Sequence, residues 1–389
     1  MKLFQTTSPK HLYIHWPFCS SKCYYCDFVA LEQHESFQDA YHDTLCKEII
    51  TFAQNLRKNT PESGNTIDTI FFGGGTPSLY PLDQLTKLFN VLHNNFNLKN
   101  SLEISLEANP ADITEERLET WADLGINRIS CGVQILDDDV LLRLNRRQRK
   151  KDVFNAMRIL PKYFKNVSLD LILGLPDVTQ TTWQDTIEQA INWPISHISI
   201  YFLTIHEKTP LYFKVQRGEL TVPNDDIMIC TYTDTVNFLA QHGFEQYEIS
   251  NFSRPGHQSV HNKAYWDRKP YKGFGIGASS FDGSIRTINE NNLERYLKCG
   301  QNIDCIIPCQ SETLTPEQDL LELLMLGLRQ KTGLDLQRVL YSLMDFQKNK
   351  LLDNLKLLQE TSCIEEKDGR IFLTLKGMAL ENEVLLKLI

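Results

Sequence analysis

Cys19, Cys23 and Cys26 fall within eight residues, in Tyr13-Ile14-His15-Trp16-Pro17-Phe18-Cys19-Ser20-Ser21-Lys22-Cys23-Tyr24-Tyr25-Cys26-Asp27-Phe28. Thiolates are soft donors and favour zinc or iron–sulfur centres. A structural zinc site takes four ligands, commonly as two spaced pairs, and no second pair or histidine follows here at finger spacing. Three cysteines as C-x3-C-x2-C on one loop can instead hold three irons of a [4Fe–4S] cube and leave the fourth open. An open metal position is what catalysis needs and a structural site avoids. The other seven cysteines read differently. Cys46, Cys131, Cys230 and Cys363 stand alone and are expected to act as small buried apolar groups. Cys299, Cys305 and Cys309, spaced around Ile306-Ile307-Pro308, are expected to be structural or incidental thiols.

Further candidates are spread along the chain. Thr69-Ile70-Phe71-Phe72-Gly73-Gly74-Gly75-Thr76-Pro77 reads as a strand running into a glycine turn, where a ligand can approach backbone closely. Glu107 ends the alternating run from Leu102 and precedes Ala108-Asn109-Pro110. Gln134 closes Ile129-Ser130-Cys131-Gly132-Val133-Gln134, and Arg146 follows it within Asn145-Arg146-Arg147-Gln148. Asp170 sits inside Leu169-Asp170-Leu171-Ile172-Leu173, too apolar a strand for a carboxylate without a partner. His261 begins His261-Asn262-Lys263-Ala264-Tyr265-Trp266; read on its own, a histidine beside two large aromatics is more often a packed cluster than a ligand site. Each of these residues taken singly also fits a structural role.

Six β-rich runs could position them: Leu12–His15, Thr69–Phe72, Ile104–Glu107, Arg128–Val133, Val167–Leu173 and His197–Phe202. Segments with apolar residues at helical spacing lie between them, including Glu35–Phe52, Leu82–Phe96, Thr114–Leu124 and Asp152–Leu160. Such alternation predicts βαβ units and a parallel sheet, whose ligand-binding residues gather at the C-terminal ends of the strands. The span from about Thr204 to Cys309 reads as less regular. Thr315-Pro316-Glu317-Gln318 is a capping box ahead of a leucine-rich helix, and Lys367-Asp368-Gly369-Arg370 is a hairpin signal; together they predict a small winged-helix-like unit.

With 389 residues, 42% hydrophobic and 23% charged, the composition is that of a globular chain with ample core. The formal charge of −9 disfavours nucleic-acid binding through diffuse charge. Leu320–Leu328 is interrupted by Glu322 and too short to cross a bilayer. Met1–Lys10 is polar and lacks a signal-peptide core, and ten dilute cysteines are no disulfide framework. The expected location is the cytoplasm, or peripherally the inner face of the membrane.

The C-x3-C-x2-C loop after the first strand resembles the signature of the radical S-adenosylmethionine (SAM) superfamily. That resemblance implies a [4Fe–4S] cluster on Cys19, Cys23 and Cys26, with SAM on the fourth iron and reductive cleavage to a 5′-deoxyadenosyl radical. It narrows to the coproporphyrinogen dehydrogenase-like branch, HemN and HemW, over nearly the whole chain. The fold it implies is α/β: a partial (β/α)6 TIM-like barrel to about residue 235, a connecting region over 236–312, and a smaller helical C-terminal domain over 313–389. Tyr13, Gly74 and Glu107 match positions for one SAM; Phe28, Gly75, Thr76, Gln134, Arg146 and Asp170 match positions for a second. Two functions compete under it. One is a haem chaperone that binds haem, with His261 as ligand, and delivers it to apoproteins. The other is an oxygen-independent coproporphyrinogen III oxidase, and an electron donor such as flavodoxin or ferredoxin is implied for this machinery. Phe28, where the oxidase usually carries another cysteine, the eighteen residues preceding Cys19, and the H-N-x-x-Y-W match at His261 favour the chaperone. Asn145-Arg146-Arg147-Gln148 is nearer the oxidase pattern. Whether the chain is an enzyme stays open at this point.

Overall fold

A computed structural model describes residues 8–59, 66–302, 305–341 and 343–388. Strand and helix alternate from the first element. β1 (His11–Trp16), β2 (Thr66–Gly74), β3 (Asn97–Ala108), β4 (Arg128–Gln134), β5 (Asn166–Leu173) and β6 (His197–Phe202) are parallel, each beside its successor. Parallel neighbours need long crossovers. These are α1 (Gln38–Asn59), α2 (Leu82–Asn95), α3 (Glu115–Asp123), α4 (Asp138–Arg143) with α5 (Lys150–Tyr163), and α6 (Gln180–Ile191). Sequential parallel order in a sheet that does not close is the arrangement of a partial (β/α)6 barrel.

The strands bury one face against helices and turn the other inward. In β1, Leu12, Ile14 and Trp16 are fully buried, while the alternate residues Tyr13 and His15 point to the opposite face. α1 presents Tyr41, Leu45, Ile49 and Ala53 at four-residue spacing, all buried. Burying each large apolar side chain stabilises the fold by about 1.5–3 kcal/mol.

The sheet runs on past residue 235. After α7 (Pro210–Gln216) and α8 (Asp225–Gln241), β7 (Glu245–Gln246) and β8 (Asn251–Ser253) add antiparallel pairing beside β6. α9 (Val260–Trp266) then leads to β9 (Tyr271–Phe274), which pairs in parallel with the free edge of β1. β10 (Ser279–Phe281), β11 (Ile285–Asn289) and, after α10 (Leu293–Gly300), β12 (Cys309–Thr313) extend that edge antiparallel. The order across the sheet is β12-β11-β10-β9-β1-β2-β3-β4-β5-β6-β8-β7. The span from Thr204 to Cys309 is therefore more regular than its sequence suggests. Its strands are five residues or shorter, and α8 buries Thr231, Tyr232 and Thr235 among its apolar residues, which blurs the helical period.

The C-terminal unit has α11 (Pro316–Leu328), α12 (Leu336–Tyr341) and α13 (Asp345–Glu360) with β13 (Leu334–Asp335), β14 (Ile364–Lys367) and β15 (Arg370–Leu373). The capping box forms as the sequence implies: Gln318 N donates to Thr315 Oγ1 at 3.2 Å and Thr315 N to Gln318 Oε1 at 2.8 Å. In the β14–β15 hairpin, Asp368 and Gly369 take φ of 53° and 72°, the two positive values a type I′ turn requires. No helix among the described residues is long and apolar enough to cross a membrane. Of the lone cysteines, Cys131 and Cys363 are buried, Cys46 is half-buried, and Cys230 is exposed, contrary to expectation, because it lies on the outer face of α8. Met1–Thr7, within the polar stretch noted at the N-terminus, lie outside the described residues.

Candidate functional site

All thirteen residues singled out from the sequence line one cavity of about 720 Å³ on the inner side of the sheet: Cys19, Cys23, Cys26, Tyr13, Phe28, Gly74, Gly75, Thr76, Glu107, Gln134, Arg146, Asp170 and His261. The register explains the convergence. Tyr13 pairs with Phe71 and Trp16 with Gly74, while Gly132 on β4 lies level with Asp170 on β5 and Asp170 with Ser199 on β6. Inward side chains of successive strands therefore stack at the same height.

The cysteine loop starts from the end of β1. Cys19 lies in a two-residue parallel pairing with Leu31–Glu32, and the Cys26 N–H donates to the Cys23 carbonyl at 3.1 Å, turning the loop back. The Asn145–Gln148 loop holds it from the other side. Tyr24 N donates to Leu144 O at 3.0 Å and Asn145 Nδ2 to Lys22 O at 2.9 Å. Arg146 Nη1 donates to Cys23 Sγ at 3.3 Å and Nη2 to Gly132 O at 2.8 Å. The position of Arg146 in the sequence, far from the cysteines, thus becomes direct contact with one of them.

The glycine turn comes within touching distance of the thiols. Thr76 Oγ1 donates to Cys19 Sγ at 3.2 Å. A Cβ on Gly75 would lie 2.3 Å from Pro17 O and 2.9 Å from Cys19 Sγ, and one on Gly74, at φ +118°, would lie 2.7 Å from His15 Cε1. Only glycine fits there. Gly75→Ala is expected to push the Cys19 loop outward and cut iron uptake on reconstitution several-fold; wild-type iron content in that variant would contradict this role.

Three sulfurs on one cavity wall, two already receiving hydrogen bonds, suit a cluster whose irons are each taken by a different cysteine. Among the described residues, no three His, Cys, Asp or Glu side chains converge closely enough to chelate a single ion. Burial pushes the Cys19 thiol up to about 11 and also raises Cys26.

Two carboxyls line the same cavity as the thiols. Glu107 Oε2 accepts the Gly74 N–H at 3.3 Å. Asp170 has the partners its apolar strand demands: Ser130 Oγ donates to both of its oxygens, at 3.0 and 2.8 Å, and Ser168 Oγ lies 3.4 Å from Oδ1. Burial, with Asp170 nearby, lifts Glu107 to about 8. A raised folded pKa means that folding takes up a proton which the unfolded carboxylate has released. The stability of Glu107 as a neutral group is thus complete below about 4.5 and lost as pH rises toward 8. In urea unfolding without ligands, Glu107→Gln should gain stability over the wild type on going from pH 5 to pH 8. An identical difference at both pH values would contradict it.

Gln134 ends β4 at φ 68°, with the register slipping between Gly132 and Gln134. A non-glycine residue held there costs roughly 1–2 kcal/mol; such strain is characteristic of functional sites.

His261 forms the far wall. It is fully buried at the start of α9, whose Val260 and His261 N–H groups donate to Glu103 at 3.0 and 2.9 Å. Both ring nitrogens are engaged: Nδ1 lies 2.7 Å from Thr69 Oγ1 and Nε2 lies 2.8 Å from Tyr265 OH. Thr69 Oγ1 also lies 2.9 Å from His11 Nδ1, so its single proton can serve at most one of the two imidazoles. Phe71 stacks on the His261 ring at 5.1 Å. Burial lowers His261 to about 3, so the ring is neutral at ordinary pH. The sequence placed His261 beside Tyr265 and Trp266; the structure adds that its Nε2 is held by Tyr265.

Several cavity residues were not singled out in the sequence. Ser130, Ser199 and Tyr201 face inward with Gly132 and Asp170, and strict alternation along β4 and β6 could have found them. Arg329, at the end of α11, also reaches the cavity, with its guanidinium 4.8 Å over the Trp266 ring and Nε 2.7 Å from Glu248. No local signal marks it.

Comparison with known proteins matches this architecture. The family model for the Radical SAM superfamily fits residues 13–190, and that for the HemN C-terminal domain fits residues 314–380. The Heme chaperone HemW of Bacillus subtilis is 34% identical over 96% of this chain and 98% of its own length; that of Synechocystis is 37% identical over 84% and 79%. Among solved structures, the coproporphyrinogen III oxidase HemN from Escherichia coli superposes with a TM-score of 0.82 over 98% of this chain and 90% of its own, at 23% identity, a likeness of fold. The chain belongs to the HemW family of the radical SAM superfamily, a membership that implies a [4Fe–4S] cluster and SAM.

Proposed function

We propose that this protein binds haem and delivers it to haem-accepting apoproteins in the cytoplasm, with a [4Fe–4S] cluster and SAM bound in the same cavity. The observation that carries this reading is the position of α9. His261, Tyr265 and Trp266 form one wall of the cavity that the three cysteines line, so a flat apolar ligand beside the imidazole would lie within reach of the cluster site. Similarity to haem chaperones over nearly the full chain supports the same reading.

In this proposal Cys19, Cys23 and Cys26 hold the cluster, which with SAM supplies one-electron reductive chemistry when bound. Arg146 fixes Cys23, and the Thr76 hydroxyl fixes Cys19. Tyr13, Gly74 and Glu107 bind one SAM: the glycine backbone and the carboxyl offer acceptors for its amino and ribose groups. Phe28, Gly75, Thr76, Gln134, Arg146 and Asp170 line the position of a second. An electron donor of the flavodoxin or ferredoxin class would approach the half-buried cysteine loop from its outer end, where Phe28 is 66% exposed.

A second reading, oxygen-independent coproporphyrinogen III oxidase, draws on Asn145-Arg146-Arg147-Gln148, whose asparagine and arginine grip the cysteine loop. One experiment separates the two. Anaerobically reconstituted protein is mixed with haem and then with an apoprotein acceptor, and in parallel with coproporphyrinogen III, SAM and a reductant. A stable Soret band that passes to the acceptor, with no protoporphyrinogen IX formed, is the expected result. Robust conversion of coproporphyrinogen III without haem transfer would overturn the chaperone reading in favour of the oxidase.

A further inference from the structure

A second cavity, of about 660 Å³, adjoins the first and shares Tyr13, Phe28, Tyr265 and Trp266 with it. β10 and β11 form one side and α11 the other. Three charged residues there have no part in the cluster or SAM sites: Arg268, just after α9; Arg286, on β11; and Glu322, on α11. Arg286 Nη2 lies 2.7 Å from Glu322 Oε1, and Arg268 Nη2 lies 3.5 Å from Glu322 Oε2. Arg268 also reaches Asp319 at the rim, and its guanidinium lies 5.7 Å over the Phe281 ring. Asp27 is the other carboxylate of this cavity, and it faces His206 at 3.3 Å.

These charges are under-satisfied. The side chains of Arg268 and Glu322 are 14% and 10% exposed, and that of Arg286, nearer the surface, 36%. The Nε atoms of both arginines are buried without a hydrogen-bond partner. One interior carboxylate thus lies between two guanidiniums, with Asp319 at the rim as the closer partner of Arg268, and each guanidinium has five donors in a planar fork suited to bidentate carboxylate binding. Buried donors left unmade are costly, and a second carboxylate would complete them. The adjoining wall, of Tyr13, Tyr265 and Trp266, is aromatic.

We propose that Arg268 and Arg286 form a clamp for a carboxylate side chain of the bound tetrapyrrole, held in its absence by Glu322 from the C-terminal unit. This rests on the haem-binding reading and adds to it the orientation of the ligand: the macrocycle lies against the aromatic wall, and its carboxylate edge points into the second cavity. Because Glu322 belongs to α11, a ligand carboxylate that displaces it loosens one tie between the C-terminal unit and the sheet.

The test is a Soret titration of the full-length, cluster-loaded protein with haem and with haem dimethyl ester, whose carboxylates are blocked. The wild type should bind the ester about tenfold more weakly than haem, as expected for loss of a charge-assisted hydrogen bond. Arg286→Gln and Arg268→Gln should lose about as much affinity for haem and little for the ester. Arg286→Lys, which keeps the charge without the fork, should fall between. Glu322→Gln, which removes the competitor, should bind haem as tightly as the wild type or more so. Iron content and far-UV circular dichroism report whether each variant is folded. Equal affinity for haem and ester, with the arginine variants unchanged, overturns the clamp and leaves haem binding in place. Equal losses for both ligands in the arginine variants assign these residues to packing and overturn it too. No Soret change with either ligand in the wild type overturns the haem-binding reading, and the clamp with it.

Discussion

Alanine at Cys19, Cys23 or Cys26 removes most of the iron from reconstituted protein and bleaches its visible charge-transfer absorbance; this is the largest effect expected of any substitution. In the proposed cluster each of the three cysteines takes a different iron, so no neighbour can substitute for a lost sulfur. The controls are Cys299→Ala and Cys305→Ala. Cys299 Sγ donates to the Arg295 carbonyl at 3.3 Å, and Cys305 is buried with Sγ 3.7 Å from the Thr44 carbonyl. Neither lines the cavity. Both variants should retain wild-type iron, and depletion in them equal to that in the trio would show a second cluster site.

His261 carries the next largest effect. In the proposed role of haem ligand through Nε2, it gives up Tyr265, whose hydroxyl lies 2.8 Å from that atom. His261→Ala should therefore weaken haem binding by at least tenfold while leaving iron content intact. It also strips a partner from the Thr69 and Tyr265 hydroxyls, at a cost of about 1–3 kcal/mol for each group left unsatisfied, so loss of binding alone does not identify a ligand. Tyr265→Phe resolves this. It frees Nε2 and keeps the ring that packs on Tyr271 at 4.6 Å, so haem should bind more tightly, with the Soret position of the wild type. Weaker binding in Tyr265→Phe, or unchanged binding in His261→Ala, would remove His261 as the ligand.

Much of the site could be read from spacing, because it is built on local order. Three cysteines on one loop, a glycine turn at a strand end, and polar residues inside apolar strands all leave marks within a few residues. Asp170 is the clearest instance. A carboxylate flanked by Leu169 and Leu171 had to find donors, and Ser130 and Ser168 provide them from the same inner face. Features made by distant partners left no such marks. Glu103 gripping the start of α9, β9 pairing with β1, and Glu322 meeting Arg268 and Arg286 each join residues far apart in sequence. Strands of three or four residues such as β9 and β10 are too short for alternation to stand out from chance. Cys230 shows the opposite error: residue type suggested burial, and the helix face decided otherwise.

The pairing of β1 with β9 also bears on how the chain is made. β1 carries Tyr13 and leads into the cysteine loop, yet one of its two neighbours, Tyr271–Phe274, is translated about 260 residues later. Contacts so distant in sequence form late and slow folding. A nascent chain can assemble β2 to β6 on the ribosome, domain-wise from the N-terminal side, while the outer edge of β1 waits for its partner. β1 therefore gains its second neighbour, and the cavity its α9 wall, only after Phe274 has been made. Premature termination before residue 271 would leave β1, which leads into the cysteine loop, as an open edge strand, a target for aggregation, so a completed cavity requires a chain made at least through β9.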